Sequence, residues 1–304
     1  MIRVLFMGTP DYATAILKAL VEDDAIEVCA LVTQPDKPVG RKQILTPPHT
    51  KAYLQEADEK VAILQPDNLK NKEAFDFITS HRPDFIVVAA FGQILPKEIL
   101  ELAPCINLHA SILPEFRGAS PIQDAILSQK KFSGVTAMKM DEGLDTGDIL
   151  ALSYLNIEKL NAIELFARLS DLAASLTLKV LKTYPTLAPI KQKDADSSYA
   201  KKIKKEDGLV NFSDASEVEA KYRAFIYWPG IFCESGLKLK ALSLYARVGS
   251  YQAGEILEIA DDYTLIGCRR GSIKLTRVQA PSKKEVDAVA YLRGKRLGIG
   301  DYLS

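Results

Sequence analysis

The hydrophobic pattern opens with an apolar run at residues 3 to 7 and a turn at Gly8-Thr9-Pro10. Tyr12, Ile16, Leu17 and Leu20 then recur at helical spacing before a second apolar run at 26 to 32. A strand, helix, strand unit follows from that order. The pattern predicts a helix over about Lys70 to Ser80, a fully apolar strand over Phe85 to Ala90 and another over Cys105 to His109. Uninterrupted apolar runs alternating with helices indicate strands buried on both faces, hence an α/β fold with an open, mostly parallel, doubly wound sheet. Gly134 to Met140 and Ile149 to Ile157 read as strands flanking a polar loop, and Asn161 to Thr183 as a long amphipathic helix.

After that helix the texture changes. Residues 185 to 207 hold Pro185, Pro189 and the run Lys201-Lys202-Ile203-Lys204-Lys205 with few large apolar side chains, which reads as a linker. A first domain over 1 to 184 and a second over 208 to 304 are expected on either side. The second carries one helix, about Ser216 to Tyr227, and short strand-like runs separated by turns at Ser235-Gly236, Gly249, Asp261-Asp262 and Arg270-Gly271. Several short strands in so few residues suggest a small β-barrel of the oligonucleotide-binding kind. Trp228-Pro229-Gly230 and Phe225, just after the helix, read as an interface anchor rather than an RNA-stacking pair.

Charge adds one asymmetry. The formal net charge is zero, yet residues 1 to 190 hold 19 Lys and Arg against 24 Asp and Glu, whereas residues 191 to 304 hold 20 against 15. The C-terminal part is thus suited to a polyanionic partner. Cys29, Cys105, Cys233 and Cys268 lie far apart without metal-ligand spacing, so they read as reduced, buried thiols and no metal site is expected. The N-terminus lacks the features of a secretory signal, and no apolar run is long enough to span a membrane, so a cytoplasmic protein is expected.

The candidate chemistry gathers at Cys105 to Pro114 and Met140 to Asp148. Side chains two apart on a strand share a face, so Asn107 and His109 emerge together at one strand end. An amide can donate to a developing oxyanion, a neutral imidazole can give or take a proton, and a carboxylate such as Asp145 can orient the ring. That set suits acyl transfer. By contrast, Gly8-Thr9-Pro10-Asp11-Tyr12-Ala13 lacks the later glycines of a dinucleotide fingerprint, and there is no Gly-Lys-Ser/Thr phosphate loop. A nicotinamide-dependent dehydrogenase is therefore disfavoured.

Asn107, His109, Ser111-Ile112-Leu113-Pro114, Arg117-Gly118, Pro121-Ile122-Gln123 and Leu144-Asp145-Thr146-Gly147-Asp148 resemble the formyltransferases that use 10-formyltetrahydrofolate. Thr33 to Pro38 with Gly40-Arg41, and Arg223-Ala224-Phe225 with Trp228-Pro229-Gly230, extend the resemblance along nearly the whole chain to the methionyl-tRNA formyltransferases. Ile112 stands where that family's turn usually has Leu, a swap that keeps volume and polarity. The resemblance implies a Rossmann-like catalytic domain and formyl transfer from 10-formyltetrahydrofolate to the amino group of initiator methionyl-tRNA, by a monomer. Asn107 and His109 would stabilise the oxyanion and Asp145 would hold His109. Ser111, Ile112, Leu113 and Pro114 would line the folate site, with Phe91, Gly92, Ile94, Asp141 and Gly143 near the pterin edge. The long, basic, proline-rich segment 33 to 50 would enter the acceptor end of tRNA through Lys37, Arg41 and Lys42, with Lys201, Lys202, Lys204 and Lys205 meeting phosphates farther along. A folate enzyme acting on a sugar or nucleotide amine is the nearest alternative, and a non-catalytic RNA-binding module is a more distant one.

Overall fold

The computed structural model describes residues 1–40 and 42–303. In chain order the elements are β1 (Ile2–Gly8), α1 (Asp11–Val21), β2 (Ile26–Val32), β3 (Lys37–Val39), β4 (Ile44–Thr46), α2 (His49–Glu56), β5 (Ala62–Leu64) and α3 (Lys72–Ser80). They continue with β6 (Phe85–Ala89), α4 (Lys97–Leu100), β7 (Cys105–His109), β8 (Arg117–Gly118), α5 (Pro121–Leu127), β9 (Phe132–Lys139), β10 (Asp148–Asn156), α6 (Ala162–Thr183) and β11 (Tyr199–Ala200). The last are α7 (Ala215–Ala224), β12 (Ile231–Phe232), β13 (Lys238–Ala246), β14 (Ile256–Ile259), β15 (Thr264–Gly267), β16 (Ser272–Gln279), β17 (Val286–Asp287) and α8 (Ala288–Lys295). Two compact units result. The first comprises 1–121, 132–156 and 166–201, and the second 122–131, 157–165 and 202–304.

The first unit is built on a seven-stranded sheet in the order β10-β9-β7-β6-β1-β2-β5. β1 sits between β6 and β2, parallel to both, and its Val4, Leu5, Phe6 and Met7 are fully buried, as an apolar run covered on two faces requires. β9 alone runs against its neighbours, pairing antiparallel with β7 and with β10. The pairing with β10 has a local reason. Only eight residues join β9 to β10, and so short a connection closes a hairpin but cannot make a crossover. That reversal carries the 140–147 loop back toward β7. Asn71 caps α3 by accepting a hydrogen bond from the Ala74 amide at 2.8 Å.

Two expectations change in detail. The segment 185 to 207, expected as a linker, is paired with the first unit through residue 201: Ile190 pairs with Ile149, β11 pairs with β8, and Gln192 is buried. The segment 33 to 50, expected as a long loop, contains the β3–β4 hairpin. Of the four thiols, Cys105, Cys233 and Cys268 are buried as expected, whereas Cys29 is half-buried. Burial pushes the three buried thiols up to about 12, which makes them poor nucleophiles.

The second unit holds an antiparallel sheet in the order β12-β13-β16-β15-β14, with β17 added beside β16. Register shifts within the β13–β16 ladder bend it, as bulges do. Ile266, Ile273, Leu275 and Val278 from its strands and Val218 and Ala224 from α7 are buried in this unit. The expected turns all fall between strands. Asp214 caps α7 through the Ser216 amide at 2.7 Å, and beyond the helix Phe225 is buried while Trp228 is half-exposed.

Candidate active site

Asn107 and His109 lie on the last three residues of β7, where parallel pairing sets Asn107 opposite Val88 near the end of β6. The returning 140–147 loop brings in Asp145 from the far side. Its carboxylate Oδ1 accepts a hydrogen bond from Asn107 Nδ2 at 3.3 Å and faces His109 Nδ1 at 3.6 Å. Its Oδ2 accepts from the Gly118 backbone amide at 2.8 Å. The three side chains expected from the sequence therefore converge. His109 and Asp145 are 6% and 8% exposed, so this is a polar cluster held largely out of water, where an interaction between charges is strengthened.

The imidazole has a defined orientation. His109 Nε2 lies 2.9 Å from the Phe116 carbonyl oxygen. A carbonyl only accepts, so Nε2 carries the hydrogen and, in the neutral ring, Nδ1 keeps its lone pair. Nδ1 is also the nitrogen that faces Asp145, at a distance longer than a hydrogen bond. Protonation at Nδ1 would turn two facing acceptors into an attractive pair. Asp145 itself adopts φ +55°, a left-handed conformation that an aspartate tolerates better than most residues.

Around this centre lie the segments expected to hold a folate. Met140 packs against the cluster containing Phe91, Leu95 and Val88 and also against Leu113, Met138 and Ile149, so the three segments share one apolar contact. Gly92 has φ +82° with open space where a side chain would be, and Ile94 is exposed. Asp141, Gly143 and Leu144 form an exposed turn in which Asp141 Oδ1 accepts from the Gly143 amide at 3.0 Å and the Thr146 hydroxyl at 2.7 Å. Open backbone beside exposed apolar side chains fits a flat, hydrogen-bonding heterocycle. Ser111 begins the turn expected to line the folate site. It is fully buried, its hydroxyl donating to the Glu115 carbonyl at 2.6 Å, while the buried Thr136 hydroxyl binds the Ser111 carbonyl and the Leu113 amide. Ser111 and Leu113 thus shape the turn from within. Ile112 and Pro114 are half-buried.

The expected RNA-facing cations fall in two stretches of the chain. Lys37 and Lys42 are exposed on and beside the β3–β4 hairpin, and Arg41 lies outside the described residues. Lys201, Lys202, Lys204 and Lys205 are all exposed, Lys204 lying 3.9 Å from Glu206. Sequence reasoning missed the Phe116 carbonyl, the Gly118 amide and Gln192. Backbone groups leave no trace in residue identity, and Gln192 stands in a stretch whose composition resembles a linker. Among the described residues no group of acidic, His or Cys side chains is arranged to hold a metal, and no helix is long and apolar enough to cross a membrane.

The formyl transferase family model matches residues 2–181, and that of the formyl transferase C-terminal domain matches residues 202–296. Over 300 residues the chain is 59% identical to the methionyl-tRNA formyltransferase of Nitratiruptor sp., covering 98% of this chain and 99% of that one. Over 304 residues it is 52% identical to the methionyl-tRNA formyltransferase of Wolinella succinogenes, with both chains covered in full. A solved sugar 3N-formyl transferase, WlaRD, matches with a TM-score of 0.67 at 22% identity, over 93% of this chain and 99% of that one, a likeness of fold. Matched along its length by both domain models and by full-length relatives, the chain belongs to the formyl transferase family.

Proposed function

We propose that this protein transfers the formyl group of 10-formyltetrahydrofolate to the amino group of initiator methionyl-tRNA, acting in the cytoplasm as a monomer. The first unit performs the chemistry, and the second, with the lysines at 201 to 205, follows the RNA. The observation that carries the reading is the buried meeting of Asn107, His109 and Asp145 at the end of β7. Full-length similarity to methionyl-tRNA formyltransferases supports the RNA substrate over a small amine.

The residues divide the reaction between them. As the amine attacks the formyl carbon, a carbon–nitrogen bond forms and the formyl oxygen becomes an oxyanion. Asn107 has two amide hydrogens, and Asp145 engages one. The other is free to donate to that oxygen, so the carboxylate aims the amide. His109, with Nε2 occupied by Phe116, takes the proton of the attacking nitrogen on Nδ1. The resulting imidazolium faces Asp145 and can donate to the oxyanion or return the proton to the departing folate nitrogen as its bond to carbon breaks. Leu113 packs with Met138, Met140 and Ile149, and an apolar wall of this kind would limit hydrolysis of the formyl donor.

Incubation with methionyl-tRNA and 10-formyltetrahydrofolate, followed by deacylation, should release formylmethionine in proportion to enzyme. Formylation of a free sugar or nucleotide amine in place of methionyl-tRNA would overturn the substrate assignment.

A further inference from the structure

Beyond the three side chains at the centre, the geometry points to a positioning clamp formed by the segment 192 to 200, with Gln192 as the residue that sets Asp145. The inference rests on the formyl-transfer reading above. Gln192 is 9% exposed and its amide is fully engaged. Nε2 donates to the carbonyls of Asp145 at 2.9 Å and Gly147 at 2.7 Å, so one side chain grips the backbone at the carboxylate-bearing residue and two residues beyond it. Oε1 accepts from Arg117 Nε at 3.1 Å and Nη2 at 2.9 Å. Arg117 is itself buried, and its guanidinium also reaches Asp194 Oδ1 at 3.0 Å.

The same segment fixes the partners of the other two groups. The Phe116 amide donates to Ser198 Oγ at 2.9 Å, which restrains the residue whose carbonyl orients His109. Arg117 and Ala119 amides donate to the Ser198 and Ala200 carbonyls, each at 2.8 Å, which sets the Gly118 amide between them against Asp145 Oδ2. Gly118 has φ +114°, and a Cβ there would stand 2.6 Å from the Ala200 carbonyl oxygen, so only glycine fits this strand pair. Consecutive residues thus hold Asp145 from two sides: Gly118 binds the carboxylate directly, and Arg117 acts on the backbone through Gln192. A left-handed aspartate needs such over-determination to persist.

The test compares Gln192→Glu with Leu169→Ala, a core truncation in α6, both in the full-length enzyme. Glutamate keeps the size and the acceptors for Arg117 but cannot donate to two carbonyls. Gln192→Glu is expected to lower kcat about 10- to 100-fold, as a displacement of about 1 Å can, with KM for folate and for methionyl-tRNA within about twofold of wild type. Leu169→Ala should lower Tm without that loss of kcat, and Gln192→Asn should restore part of it. A wild-type kcat in Gln192→Glu, or equal kcat losses in the two variants at matched Tm, overturns the proposal. Should Gln192→Glu fail to fold, Arg117→Lys replaces it. An ammonium cannot reproduce the forked contacts to Gln192 and Asp194, so a kcat lowered at least threefold with unchanged KM is expected, and wild-type kcat overturns the clamp. Asn107→Ala in the same assay separates the readings: if it alone keeps full activity, the formyl-transfer mechanism fails, and if it alone is inactive, only the clamp fails.

Discussion

The end of β7 and the β3–β4 hairpin lie in the same unit and are built on opposite principles. At β7 each of the three side chains is held by a partner: Asp145 accepts from Asn107 and Gly118, His109 donates to Phe116, and Gln192 secures the loop behind them. On the hairpin every described strand residue is exposed, Val39 at 55%, Ile44 at 62% and Leu45 at 65%. Its root is tied down, where Lys51 binds Asp36 at 2.9 Å and Gln65 at 2.7 Å, and Gln65 donates to Asp36 at 2.7 Å. The difference teaches where rigidity is needed. Bond-making groups must be held within fractions of an ångström, so their surroundings are buried and redundant. A surface that meets a large partner can leave apolar and cationic side chains uncovered until the partner covers them.

The largest effect should come from breaking the buried side. Asp145→Ala removes the acceptor for Asn107 and Gly118 together, and turnover is expected to fall about 10³-fold or more while circular dichroism stays native. On the hairpin the expected pattern reverses. The triple change Val39→Ser, Ile44→Ser and Leu45→Ser should leave unfolding free energy within about 0.5 kcal/mol of wild type, since those side chains touch little in the free protein. It should instead raise KM for methionyl-tRNA roughly tenfold, the equivalent of part of their apolar area covered by the partner, with the folate KM unchanged. Adding Lys42→Ala should lower the dependence of log KM on log salt by about one contact. A hairpin variant that loses stability, or folate affinity, would erase the contrast.

The smallest effect lies at the hairpin root. Hydrogen bonds from Gln65 and then Lys51 hold the Asp36 carboxyl below its ordinary range. A carboxyl lowered in the folded state adds stability above its unfolded value and loses it as pH falls through the folded one. Acid titration below about pH 4 should therefore cost wild type slightly more stability than Asp36→Asn, by under about 1 kcal/mol for so partly exposed a group.

Much of the first unit was legible because parallel strands covered on both faces write themselves as apolar runs, as at Phe85–Ala89 and Cys105–His109. Asn107, His109 and Asp145 were legible because strand alternation and a polar loop leave few other roles for them. Gln192 and the Phe116 carbonyl were not. Their importance comes from a contact between segments separated by 47 and 7 residues, and from a backbone atom that every residue carries. The β3–β4 hairpin was hidden for a related reason: with no buried face it shows no alternation of apolar and polar positions, the signal by which a half-buried strand is read.

The central claim is that an amide aimed by Asp145 stabilises the oxyanion of formyl transfer, and single-turnover rates of wild type and Asn107→Ala with methionyl-tRNA and 10-formyltetrahydrofolate, both saturating, test it most directly. A fall of about 10²- to 10³-fold with unchanged folate affinity is expected. A rate within twofold of wild type would contradict the account.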